Sequence, residues 1–446
     1  MLVQFRVENH RSLRDEQTLS MVASGGDADP RLIHPEGLGE ALLPVVALYG
    51  ANASGKTNVL QALAFMREAV LQSHRAWEPV RGVPREPFLL SAKAGEPSLF
   101  EVDLVVAGIR YRYGFVLGEA GVEEEWLTAW PKARKQTWFE REGDRFKFGK
   151  QLRGENETIQ RVTRSNSLFL SAATQNNHLQ LAPIFRWFSS LRFEFGRPHG
   201  SGLGAWQAAE LEGLFAESRQ TQPSLLEMDE RERQRQRGSV LRLLQAADLG
   251  IQDIKVRGPA EANEPEQAQF EASGTIRLSR AALARRRGRG DLVFLHRSAD
   301  GQGAWLPLAA ESAGTVTLLG MAMLVVDVLG RGAVLGIDEL EASLHPMLAL
   351  ELLRLFHDPA HNPRGAQLIF TTHDTNLLGN VVGERPLRRD QVWFTEKDEA
   401  GATHLYPLTD FQPRKEENLE RGYLQGRYGA IPCLGELLPV VREEGG

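Results

Sequence analysis

Residues 50–57 read Gly-Ala-Asn-Ala-Ser-Gly-Lys-Thr and fit the pattern GxxxxGK followed by Ser or Thr at every fixed position. The run 45–48 before it is continuously apolar, as in a strand buried on both faces. After it Val59, Leu63, Met66 and Val70 recur at spacings of 4, 3 and 4, which makes one face of an amphipathic helix. Strand, loop and helix therefore follow in that order. Glycines let such a loop wrap backbone N–H groups around phosphate oxygens, and the helix N-terminus adds favourable partial charge. In this reading Gly50, Asn52, Ser54, Gly55, Lys56, Thr57 and Asn58 surround the phosphates of ATP. Lys56 reaches the β and γ phosphates, and the Thr57 hydroxyl sits on Mg²⁺.

Residues 333–339, Ala-Val-Leu-Gly-Ile-Asp-Glu, end an apolar strand on two carboxylates, which are costly on a buried strand unless they meet a cation or water. Asp338 is placed to hold Mg²⁺ through water, and Glu339, pointing the other way, to orient and deprotonate an attacking water. A second apolar strand, Leu368-Ile-Phe, runs into Thr371-Thr372-His373-Asp374, where His373 can donate a hydrogen bond to a γ-phosphate. Upstream, Glu311-Ser312-Ala313-Gly314-Thr315 opens an apolar-faced helix with a turn of small residues. That turn suits an anion at Ser312 and Gly314, and it equally suits simple capping by Ser312.

Around these motifs the patterning predicts strands at 2–7, 333–337 and 367–371 and helices at 179–188, 315–329 and 346–357. Alternating strands and helices imply βαβ units on a parallel sheet. Pieces at 99–106 and 111–116 read as hairpins of a small antiparallel β-subdomain between Phe88 and Phe148, and 200–300 as a polar, helical insertion. The fold class is α/β, a P-loop head with a parallel core. Its expected divisions are 1–200 (lobe I), 201–300 (insertion) and 301–446 (lobe II). Hydrophobic residues at 42% and charged residues at 25% exclude a wholly disordered or collagenous chain. With Cys433 as the single cysteine, neither an intrachain disulfide nor a Cys-based zinc site can form. A formal charge of -6 gives no global basic field. The N-terminus has no apolar signal region, and the apolar stretch 316–329 is shorter than the about 20 residues a bilayer requires. A soluble, cytoplasmic protein without membrane contact is the expectation.

The order of these motifs resembles the ABC-class ATPases of the RecF and SMC type. More narrowly, it resembles the prokaryotic AAA-named, ABC-like ATP-binding family that includes RloA and OLD-type proteins, here without their nuclease domain. FRVENHRSLRDEQTLSMVAS at the N-terminus, IDELEASLHP at 337–346, RRDQVWFTEKD and GYLQGRYGAIP carry the likeness. The resemblance implies that residues 312–315 occupy the signature position, although they depart from LSGGQ, and contact the γ-phosphate held by a second subunit. It further implies that Ser343, Leu344 and His345 form the D-loop, that His373 is the switch histidine, that Arg11 and Ser12 lie near the nucleotide, and that Gln175 is the lid glutamine beside the metal.

A homodimer or higher homo-oligomer closing on ATP follows from the resemblance. With no room for a long coiled coil or a nuclease domain, its output passes to a separate, nuclease-like effector, in a setting of anti-phage or foreign-DNA defence. A RecF-like clamp on DNA and a slow-turnover, nucleotide-dependent scaffold are the alternatives. The arginines at 231, 233, 235 and 237 and at 285, 286, 287 and 289 leave nucleic-acid contact open, against a solvated helix as the plainer reading.

Overall fold

The computed structural model describes residues 1–25, 28–196, 205–215, 230–247, 249–257, 269–270, 276–277, 291–297, 303–380, 385–412 and 417–432. The chain divides into two compact units, Met1–Gly196 with Arg331–Gly446, and Arg197–Gly330.

The first unit is built on two sheets. Its parallel sheet contains β3 (Val45–Gly50), β9 (Arg192–Glu194), β15 (Val334–Ile337), β16 (Gln367–Thr371) and β17 (Val392–Lys397), with β18 (Thr403–Pro407) antiparallel at one edge. The order is β18-β17-β3-β16-β15-β9, so β16 lies between β3 and β15. Every residue of β3, β15 and β16 is buried, as their unbroken apolar patterns require of central parallel strands. Helix α1 (Lys56–Gln72) buries Val59, Leu63, Met66 and Val70, the spacing read from the sequence. The turn α8 (Leu340–Ser343) and the helix α9 (Pro346–His357) follow β15, and α10 (Leu419–Leu424) follows β18.

The second sheet is larger than the expected hairpins. It has seven antiparallel strands in the order β2-β1-β4-β5-β6-β7-β8 and takes in β1 (Leu2–Glu8) and β2 (Gln17–Ser20) beside β4 (Ser98–Val106), β5 (Ile109–Leu117), β6 (Val122–Trp130), β7 (Gln136–Glu142) and β8 (Arg145–Phe148). Phe100, Val102 and Leu104 on one face of β4 join the core that includes Met66, Phe169 and Phe188. Glu101 and Asp103 on the other face are matched by Arg6 at 2.8 Å, and by Arg110 at 2.6 Å and Arg112 at 2.8 Å. The short helices α2 (Asn156–Val162), α3 (Phe169–Gln175) and α4 (Ala182–Ser190) complete this unit, α4 starting three residues later than expected.

The second unit carries α5 (Ala205–Phe215), α6 (Glu230–Ala246) and α7 (Ala313–Arg331), and also strands within the segment expected to be helical. β10 (Ile251–Arg257), β13 (Asp291–His296) and β14 (Ala304–Pro307) form an antiparallel sheet, and β11 (Gln269–Phe270) pairs with β12 (Ile276–Arg277). A register shift between Ile251 and Asp253 breaks the period-two alternation that would have marked β10. α7 is the one helix among the described residues long and apolar enough to cross a membrane, with a mean hydropathy of 1.8. Its Leu319, Ala322, Met323 and Val326 are instead packed with Leu211, Phe215, Val240, Leu244, Ile254 and Phe294. On α6, Arg233 pairs with Glu230, Arg235 with Glu232, and Arg237 with Asp253, so these arginines belong to an ion-paired helix. The arginines at 285–289 and Cys433 lie outside the described residues.

Candidate functional site

The loop after β3 ends at Gly55, whose φ of +107° belongs to the left-handed region. A Cβ there would also collide with the Thr403 hydroxyl, and one at Gly50 would stand 2.5 Å from Thr395 O. Both motif glycines are therefore required by close neighbours as well as by loop curvature. No side chain caps α1 and no acidic residue occupies its first turn, so its leading N–H groups are left for an anion. Lys56 Nζ donates to the carbonyls of Gly50 at 2.9 Å and Ala51 at 3.0 Å, folding over the loop it belongs to. Burial lowers the Lys56 pKa, while Asp338, then Glu341, then Glu339 oppose that shift. Asn52 stands exposed at the loop tip.

Hydroxyl groups from distant segments brace this loop. Ser54 Oγ shares a hydrogen with Thr395 Oγ1 at 2.6 Å, and Thr403 Oγ1 donates to the Ser54 carbonyl at 2.8 Å. Ser12 Oγ lies 2.7 Å from Thr403 Oγ1 and accepts from Asn58 Nδ2 at 2.6 Å. Arg11 bonds Gln61 on α1 and pairs with Glu86 at 2.7 Å. Thr395 and Thr403, both buried, lie on β17 and β18; Thr395 falls within the RRDQVWFTEKD segment, which gives it no role of its own, and Thr403 lies five residues beyond that segment.

The ends of β15 and β16 supply the acidic side. With β16 between them, β3 and β15 stand about 10 Å apart, two strand steps. Thr57 Oγ1 nevertheless reaches Asp338, donating at 2.9 and 3.0 Å to its two oxygens. Thr371 on the intervening strand donates to Asp338 Oδ1 at 2.7 Å and accepts the Glu339 N–H at 2.7 Å. Glu339 adopts a φ of +52° and is exposed at the head of α8. The His373 N–H donates to Glu341 Oε1 at 2.6 Å, and the buried Tyr49 hydroxyl donates to the Asp374 carbonyl at 3.0 Å. Burial, and next the Lys56 charge, lower the His373 pKa; Glu341, Glu339 and Asp338 pull the other way.

The first unit thus gathers Arg11, Ser12, Gly50, Ser54, Gly55, Lys56, Thr57, Asn58, Asp338, Glu339 and His373 around one loop and two strand ends. Gln175 is exposed at the end of α3 and shares no hydrogen bond with Thr57 or Asp338 among the described residues. Ser312 and Gly314 belong to the second unit. There Ser312 Oγ accepts the Thr315 N–H at 3.0 Å, the capping bond allowed by the sequence, while Gly314 is exposed. Of the residues expected to form the D-loop, Leu344 is buried, and the His345 side chain accepts from Met347 N at the start of α9. Among the described residues, no group of three His, Cys, Asp or Glu side chains converges to hold a metal.

A family model described as "AAA domain, putative AbiEii toxin, Type IV TA system" matches residues 45–379, from the first residue of β3 to just beyond His373. The chain belongs to this family. As an AAA-family protein of this type it joins a P-loop parallel-sheet core to an antiparallel β-subdomain and an inserted unit that carries helices. Among solved structures it is similar to the SMC head domain from Thermotoga maritima, with a TM-score of 0.38 and 12% identity over 91% of this chain and 98% of that one. It is also similar to the Smc head domain of Pyrococcus furiosus bound to the C-terminal domain of ScpA. Here the TM-score is 0.37 and the identity 11%, over 92% of this chain and 97% of that one. A comparison with curated proteins returned no match.

Proposed function

We propose that this AAA-family protein is an ATP-binding and ATP-hydrolysing switch. Two copies close on ATP and control a separate effector in bacterial defence. The observation that carries the reading is the contact of Thr57 with Asp338 across an intervening strand, beside an uncapped helix N-terminus and the buried ammonium of Lys56. Thr57 and Asp338 are hard oxygen donors of the kind Mg²⁺ takes together with phosphate oxygens and water, so the residues fit ATP with Mg²⁺. When bound, the metal spreads the charge that builds on the phosphates. Lys56 leaves the carbonyls of Gly50 and Ala51 for the β and γ phosphates, Glu339 orients a water and accepts its proton, and His373 donates a hydrogen bond at the γ-phosphate.

Ser312 and Gly314 are assigned to the γ-phosphate of a second copy. Their exposed turn at the head of a 19-residue helix supports this. Gln175 is assigned to the lid on the strength of the sequence resemblance. The family description names a toxin–antitoxin setting, which supports the defence role; an RloA-like placement and a nuclease-like effector are carried by the sequence resemblance. The ion pairs of Arg233, Arg235 and Arg237 favour the solvated-helix reading of this run over nucleic-acid contact.

The test is hydrolysis and binding on the same preparation. Wild type releases phosphate from ATP only with Mg²⁺. Glu339→Gln binds ATP but turns it over about 10² to 10⁴ times more slowly, because an amide holds a water without taking its proton. Normal turnover by Glu339→Gln, or no ATP binding by wild type, contradicts the reading.

A further inference from the structure

Glu341 follows the strand-end carboxylates by one short turn, and three observations set it apart. Its Oε1 accepts the backbone N–H of His373 at 2.6 Å, a contact between residues 32 positions apart. Its Oε2 is buried and has no hydrogen-bond partner among the described residues. Of the two glutamates, Glu341 is half-buried, whereas Glu339 is exposed.

The segment that donates this bond is short and held from more than one direction. Thr371 is tied to Asp338 and Glu339, and the Asp374 carbonyl is held by Tyr49. Between these anchors the His373 N–H is directed at Glu341 alone.

We propose that Glu341 is the positioning residue that ties the His373 turn to the carboxylate end of β15, so that Glu339 and His373 are set in one arrangement. The proposal rests on the ATPase reading for its catalytic consequence, although its structural part does not need nucleotide. Glu341 and Glu339 share the turn α8, so a displacement of either is passed to His373 through one charge-assisted hydrogen bond.

The test uses E341Q, whose side-chain oxygen keeps the acceptor, and E341A, which removes it. Amide hydrogen exchange at His373, followed in the full chain without nucleotide, is expected to rise about tenfold or more in E341A and to stay within about threefold of wild type in E341Q. Turnover follows the same order: kcat falls about 10- to 100-fold in E341A, KM for ATP stays within about threefold, and the Gln variant recovers most of the rate. In a His373→Ala background E341A costs less than it does in the wild type, because the part of its effect that runs through the His373 side chain is already gone.

Unchanged exchange at His373 in E341A overturns the proposal whatever the activity. So does E341Q turning over as slowly as E341A, or a double variant whose losses multiply. A wild type without ATP binding or turnover contradicts the ATPase reading instead, and the exchange comparison still decides the role of Glu341.

Discussion

At the scale of residues, the phosphate loop is held by partners as much as by its own sequence. Lys56 is its buried cation, and Lys56→Ala is expected to abolish tight binding of a fluorescent ATP analogue; wild-type affinity would contradict the P-loop assignment. Thr403 touches Ser12 and the Ser54 carbonyl at once. Thr403→Val keeps the shape and loses both bonds, so nucleotide affinity should fall about tenfold while Thr403→Ser restores it, as read by titration calorimetry. His10, beside Arg11, is buried against Phe65 and Phe100, and neither ring nitrogen has a partner among the described residues. Burial first, and then Arg11, lower its pKa to about 4 from 6.5. The unfolded chain therefore binds more protons between those values, so His10 contributes full stability above pH 6.5 and loses it as pH falls toward 4. His10→Phe should flatten the fall in melting temperature over that window, and an unchanged slope would place the effect elsewhere.

At the scale of elements, α3 shows how a helix without a capping side chain of its own is held. The fully buried Glu125 accepts the N–H groups of Phe169 at 2.6 Å and Leu170 at 3.0 Å, and Arg141 stands 3.6 Å away, itself bonded to the Ser167 carbonyl at 2.6 Å. Glu125→Ala strands the Arg141 charge and is expected to cost about 3 to 5 kcal/mol in chemical denaturation. A loss below about 1 kcal/mol would mean that the pair contributes little beyond the cost of burying it. The elements that carry motifs were legible in the sequence, because an apolar run, a glycine loop and a 4-3-4 spacing are local signals. α9 and β16 have the bounds that their patterns give. Elements and placements defined by distant pairing were not. β9 is three residues long and β10 is interrupted by a bulge, while β1, read as a strand, takes its place in the large sheet only through its register with β4. In the site, Lys56, Thr57 and Asp338 carry motif signatures, whereas Thr395, Thr403, Thr371 and Glu341 are recognisable only once strands far apart in the chain lie side by side.

At the scale of the whole molecule, the proposed function needs two copies, since in it the Ser312 and Gly314 turn is assigned to a γ-phosphate held by a partner. Lys56→Ala and a Ser312→Arg/Gly314→Asp double variant should each be inactive, and their mixture should recover part of the ATPase rate through one complete site. The mass of Glu339→Gln in sedimentation with Mg²⁺ and either ATP or ADP reads the ATP-closed pair itself. Twice the chain mass is expected with ATP and the single chain with ADP. A single chain in both, alongside wild-type turnover per chain that does not depend on protein concentration, would contradict the two-copy reading.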